Sequence, residues 1–270
     1  IERHRVDLER WIVAGAFGLI GEGIVALRLV TALFGTLTVL VTYLLVRDLF
    51  GMRMGFAAGL IMAVSHWDVN FSRLAMHGVS TPFFILLVAL FLFRGIKRGR
   101  YLDWGLAGIS LGYALCFYVP NRLYPVVIVL LLGHVVLKRP SFLKAQYKQL
   151  LLFALAAALA FAPVVLYAVQ RPETFFARTQ TTSVFKDKTP EQAVDAIRIN
   201  AAKHLLMFNR HGDGNGRHNL PGEPMLDYVT SAFFVLGLFY ALYRCWRDPF
   251  YSFLIIGFVG MISGGVFSLD

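Results

Sequence analysis

A chain of 270 residues that is 57% hydrophobic and only 16% charged lies outside the range of soluble domains, where about a quarter of residues carry charge. Its net charge of +10 would suit a nucleic-acid partner, but the apolar runs approach the roughly 20 residues that cross a bilayer, so the charge is read as membrane orientation and no nucleic acid is expected. Two cysteines, Cys116 and Cys245, with no CxxC or Cys/His cluster, exclude a zinc or redox motif.

In chain order, residues 1–22 mix charge with apolar stretches, and Trp11–Ile20 is too short to span. This opening reads as an interfacial helix or the tail of an outer loop. With Ile1 first and no secretory signal before the first span, the chain is read as a fragment of a longer protein. Backbone groups in lipid must be bonded within their own segment, so the apolar runs are helices. Spans are expected at about 24–46, 54–71, 80–95, 103–119, 123–137, 149–169, 227–244 and 250–268. Ser80-Thr81-Pro82 supplies the start signal of the third. A polar stretch of about 170–226 carries one helical piece, Pro190 to Phe208, opened by Thr189-Pro190-Glu191. The expectation is an all-α polytopic membrane protein with about eight transmembrane helices. It divides into an outer-loop end (1–22), six helices (23–169), a long loop (170–226) and two last helices (227–270).

Orientation follows from the short loops. One alternate set holds Arg47, Arg53, Arg94, Lys97, Arg98, Arg100, Lys138, Arg139, Lys144, Lys148, Arg244 and Arg247; the other holds only Arg73 and Arg122. Positive charge collects in cytoplasmic loops, so the first set is inside. The 72–79 loop, the 119–122 link and the long loop are then extracytoplasmic in a multi-pass cell-membrane protein.

Arg28, Arg73 and Arg122 therefore fall near the surface that is depleted of positive charge. An arginine fork at headgroup depth binds two phosphate oxygens at once, which suits a lipid-linked phosphate; the competing reading is snorkelling to ordinary headgroups or pairing with carboxylates. Around Arg73, His66-Trp67-Asp68 and His77 suggest a donor-phosphate pocket, with an Asp68–Arg73 structural pair as the plain alternative. In the long loop, His211, Asp213, Asn215, Arg217 and His218 form a turn-rich segment, from which Arg217 and His218 can face a substrate. Asp213-x-Asn215-Gly216 resembles the start of a calcium loop but lacks the glutamate that such a loop needs; no cofactor is expected, and a divalent metal stays open. Glu22 reads as a cap or partner of Arg28 before it reads as a base.

The stretches Gly21-Glu22-Gly23-Ile24-Val25-Ala26-Leu27-Arg28-Leu29, Ala32-Leu33-Phe34-Gly35-Thr36-Leu37-Thr38-Val39, Phe71-Ser72-Arg73, Tyr118-Val119-Pro120-Asn121-Arg122-Leu123-Tyr124-Pro125 and Gly216-Arg217-His218-Asn219-Leu220-Pro221-Gly222 occur in an order that resembles the dolichyl-phosphate-mannose protein mannosyltransferases, their bacterial relatives and the aminoarabinose transferases. The resemblance implies a GT-C glycosyltransferase. Such an enzyme moves a sugar, with inversion, from a polyprenyl phosphate to a protein, lipid or glycan acceptor outside the cytoplasm. It implies donor-phosphate roles for Arg73 and Arg122, and it places the catalytic acid upstream of Ile1, so neither Glu22 nor Asp7 is assigned that role. The rival readings are a transporter or lipid flippase, which would need ionisable groups at mid-membrane, and a non-catalytic scaffold.

Overall fold

The computed structural model describes residues 8–74, 77–117, 119–173, 175, 184–185, 188–216 and 220–268, with the side chains of Leu8, Glu9, Arg10, His77, Val119 and Pro120 outside the description. Every element among the described residues is helical. They are α1 (Leu8–Ile20), α2 (Ile24–Phe50), α3 (Met52–Ala63), α4 (His66–Arg73), α5 (Ser80–Arg98), α6 (Tyr101–Phe117), α7 (Tyr124–Lys138), α8 (Ser141–Gln170), α9 (Pro190–Leu206), α10 (Tyr228–Arg244) and α11 (Pro249–Val266). The chain is an all-α polytopic membrane protein, but the expected count of about eight spans is lowered. Among the described residues five helices are long and apolar enough to cross a membrane: α2, α5, α7 with its preceding turn, α8 and α11.

The expected span over 54–71 is not one continuous helix. The run breaks after α3, which ends at Ala63, and resumes as the eight-residue α4. Twelve residues at about 1.5 Å each reach only ~18 Å, against a hydrocarbon core of about 30 Å. The polar α4 then carries the chain on along α2, from Gly55 against Arg47 and Gly59 against Tyr43 to Ser72 against Gly35, so two helix pieces run back along α2 in place of one. At 17 residues each, α6 and α10 are shorter than α2, α5, α8 and α11.

The chain divides into two compact units, one of residues 1–121 with 145–166, the other of 122–144 with 167–270. In the first, Phe34, Phe84 and Phe117 interlock with Val30, Val79 and Ala114, and Val13 and Ala16 of α1 pack on this cluster. Lipid is as apolar as these side chains, so helix association rests on close packing and hydrogen bonds rather than on exclusion of water. Gly108 and Gly112 of α6 meet the Phe153, Ala156, Ala157 and Ala160 stretch of α8 so tightly that a Cβ on either would overlap its neighbours. Leu151, Leu155 and Leu159, four residues apart, are left exposed on another face of α8, which suits lipid. Wholly buried Trp104 donates its indole N–H to Gln146 at 3.0 Å, at the point where α8 departs from helical geometry.

In the second unit, α11 packs against α7, α9 and α10. Gly260 and Gly264 admit Val127 and Leu123 of the α7 segment. Asn200 of α9 donates to the Val266 and Ser268 carbonyls at the end of α11 (3.3 and 2.8 Å). Helix α9 begins where expected, with a reciprocal capping box between Thr189 and Gln192. The turn-rich segment after it is closed at its base, because Gly212 N–H donates to the Glu223 carbonyl and Met225 N–H to the Met207 carbonyl.

Candidate functional site

The site grows from α2. Arg28, Thr31 and Gly35 recur at helical spacing and place a cation, a hydroxyl and a gap on neighbouring turns. A Cβ on Gly35 would overlap the Ser72 hydroxyl, so α4 can approach α2 only over a glycine. Buried Thr31 lies 2.8 Å from the Ser72 carbonyl and 3.0 Å from the Arg28 carbonyl; its single hydroxyl proton serves one of them at a time. The backbone of Ser72, and hence of Arg73, is thereby fixed next to the turn that carries Arg28.

Helix α4 is short but presents three distinct edges. Trp67 and Phe71 stack at 5.1 Å. Asp68 and Ser72 face Gly35, with one Asp68 carboxylate oxygen 3.7 Å from where a Cβ there would stand. Asn70 and Arg73 join Arg28, Ala32, Ser72 and Leu74 around an open cavity of about 320 Å³. Two arginines thus line one cavity with an asparagine, a serine and two apolar residues, and none of these lining residues is acidic. Such a cavity is suited to an anion that carries both hydrogen-bonding and apolar parts.

Asp68 stands next to this cavity. Its carboxyl is half-buried and pushed up to about 6 by that burial. The Asp68–Arg73 pair, the plain alternative to a phosphate pocket, is not formed among the described residues, and neither is a Glu22–Arg28 pair. Exposed Glu22 gives α2 no cap: the N-cap is Gly23, with no side-chain hydrogen bond. The two cavity arginines therefore keep their charge for something other than these carboxylates.

At the other end of the first unit, Asp48 near the end of α2 accepts from Arg94 of α5 (2.6 Å) and Arg47 (2.9 Å). Twenty residues separate Arg28 from Asp48, a rise of about 30 Å, which is the thickness of a hydrocarbon core. Arg28 and Arg73 thus occupy the end of α2 opposite the Asp48 cluster.

The remaining expected residues are placed less closely. Arg122 belongs to the second unit, with its guanidinium carbon 3.9 Å from the Phe175 ring centroid. Its neighbour Asn121 is wholly buried and donates to the Ala114 carbonyl at 2.8 Å. His77 lies in a short 3-10 turn with its side chain outside the description, and Arg217 and His218 lie outside the described residues. Asp213 caps its own turn by accepting from Asn215 N–H at 2.9 Å. Among the described residues no three His, Cys, Asp or Glu side chains converge as metal ligands would. Sequence reasoning missed Thr31, Asn70 and Ser72. The signal for two of them was spacing: Thr31 follows Arg28 by three residues, and Asn70 precedes Arg73 by three.

The helices define a polytopic membrane protein with an arginine-lined cavity in its first unit. The chain belongs to the dolichyl-phosphate-mannose-protein mannosyltransferase family, whose model matches residues 8–167 and so takes in Arg28, Asp68, Arg73 and Arg122. It is a membrane glycosyltransferase of the GT-C type. No curated protein and no solved structure matches the chain.

Proposed function

We propose that the Arg28–Arg73 cavity holds the phosphate of a polyprenyl-phosphate sugar, and that the enzyme transfers this sugar with inversion to an extracytoplasmic protein, lipid or glycan. The observation that carries the reading is the meeting of the two arginines in one cavity that has no acidic lining residue, at one end of a helix long enough to cross the bilayer. In the reaction the acceptor hydroxyl attacks the anomeric carbon from the face opposite the phosphate. The bond from that carbon to the phosphate oxygen breaks, and a base takes the hydroxyl proton. The phosphate begins as a singly charged diester and leaves as a monoester that gains a second charge. Fixed guanidinium groups therefore hold the departing phosphate more tightly than the intact donor, which lowers the barrier as well as binding the donor. Apolar Ala32 and Leu74 suit the first prenyl carbons, and the Asn70 amide suits sugar hydroxyls.

The topology proposed from loop charge puts this cavity and the long loop of 170–226 outside. Arg122 is proposed as a donor-phosphate residue only because it matches the family's pattern, and His77, Asp68, Arg217 and His218 as substrate-loop residues on the sequence alone. The test is transfer of a radiolabelled sugar from a polyprenyl-phosphate donor by the full-length protein in proteoliposomes. Arg28→Ala and Arg73→Ala are each expected to lower transfer about a hundredfold, on the scale of losing one charge-stabilising donor. Transfer that survives both changes in folded protein would remove the cavity from the mechanism.

A further inference from the structure

The end of α2 that carries Asp48 holds a second cationic site. Arg94 donates through Nε to one Asp48 oxygen at 2.6 Å, and Arg47 donates through Nε and Nη2 to the other at 3.1 and 2.9 Å. Arg98 stands 3.8 Å from the oxygen that Arg94 uses. Three guanidinium groups thus share one carboxylate, which leaves an excess of two positive charges. Arg53 belongs to the same end, because Gly55, in the first turn of α3, packs directly on the Arg47 backbone. The other acid here, Asp103 in the first turn of α6, is buried and pairs with none of these arginines among the described residues.

Helix dipoles do not cancel the excess. The negative C-terminal ends of α2 and α5 lie at this end, but so do the positive N-terminal ends of α3 and α6. Asp48 is largely buried, whereas Arg47 and Arg98 are 37% and 44% exposed. The carboxylate therefore fixes the arginines from beneath and leaves guanidinium N–H groups facing outward. Fixed cations at the ends of two membrane-spanning helices stand at headgroup depth, where a phosphate is the abundant anion.

We propose that Arg47, Arg94 and Arg98, held around Asp48, bind the phosphate headgroup of an anionic phospholipid. The charge excess selects the occupant: a zwitterionic headgroup brings its own cation to a site that already has too many. This site is separate from the donor cavity, since both lie on α2 with about 30 Å of helix between them, and it does not depend on the assignment of that cavity.

The test titrates the purified full chain, in zwitterionic nanodiscs, with short-chain phosphatidylglycerol and with short-chain phosphatidylcholine, read by tryptophan fluorescence and by native mass spectrometry of retained lipid. Saturable binding of phosphatidylglycerol alone is expected, weakened about tenfold in Arg47→Gln/Arg98→Gln, a variant that keeps the Arg94–Asp48 pair. Arg139→Gln, which removes one charge that is not paired with Asp48, should leave binding unchanged. If the double variant fails to fold by circular dichroism, the half-exposed Arg98→Gln alone carries the comparison, with a smaller loss expected. Equal binding of the two lipids, equal binding by wild type and the cluster variants, the same loss in Arg139→Gln, or full displacement by equimolar inorganic phosphate would each overturn the proposal.

Discussion

At the scale of single residues, arginines outnumber the carboxylates they meet among the described residues. Arg28 and Arg73 share a cavity with no acidic lining residue, whereas Arg47, Arg94 and Arg98 gather on Asp48. The same residue type therefore does different work at the two ends of α2. Replacing Arg73 by Lys keeps the charge and loses the planar fork, so transfer should recover only in part relative to Arg73→Ala. Asp68 gives a prediction about pH. Its folded carboxyl is raised to about 6 from an ordinary value of 3.8, so the native state holds its proton more tightly than the unfolded chain does. Stability should then fall as pH rises from about 4 to about 6 and level off above. Because Asp68 is half-exposed, solvent screening limits the drop to about 1 kcal/mol. Thermal unfolding between pH 4 and 7.5 checks this: Asp68→Asn should flatten the dependence and raise stability at the upper end. An unchanged slope in the variant would show that another group titrates.

At the scale of elements, the site depends on how closely α4 lies on α2. Gly35→Ala would drive a methyl group into the Ser72 hydroxyl, so a loss of about 1–3 kcal/mol is expected, together with a higher KM for the donor as Arg73 moves away from Arg28. Thr31→Val removes the hydroxyl at the Ser72 carbonyl with little change of shape; about 1 kcal/mol of stability should go with it, with the same sign of change in KM. Unfolding in detergent and donor titration measure both. This scale also shows what the sequence could tell. The five long spans, and the start of α9 at Thr189-Pro190, were legible because apolar length and capping chemistry are local properties. The break between α3 and α4 was less so. Hydropathy averaged over a window carries the apolar start of the run across Ser65, although Ser65-x-x-Asp68 has the spacing of a helix start. The cavity itself was half legible. Arg28 and Arg73 were singled out by their place near one membrane surface, while Thr31 and Ser72 bring them together through a contact 41 residues apart in the chain, and no local pattern encodes such a contact.

At the scale of the whole molecule, the charge asymmetry that set the expected topology has a structural counterpart in the first unit. Arg47, Arg94 and Arg98 of the expected inner set do converge at one end of α2, and Arg28 and Arg73 at the other. Cysteine labelling tests the direction of insertion. In a Cys245→Ser background, Glu22→Cys should react with an impermeant maleimide on intact cells, and Lys97→Cys only after the membrane is opened; the reverse pattern would invert the topology. The most direct test of the central claim, that the α2–α4 cavity is a phosphate site for the donor, needs no turnover. It is the binding of a short-chain polyprenyl phosphate to the purified protein in zwitterionic nanodiscs, compared among wild type, Arg28→Ala, Arg73→Ala and Arg247→Ala, a residue of neither cationic site. Binding that weakens about tenfold or more in each of the first two variants and stays unchanged in the third is the predicted result. Equal binding by wild type and both cavity variants, with all of them folded, would contradict the account.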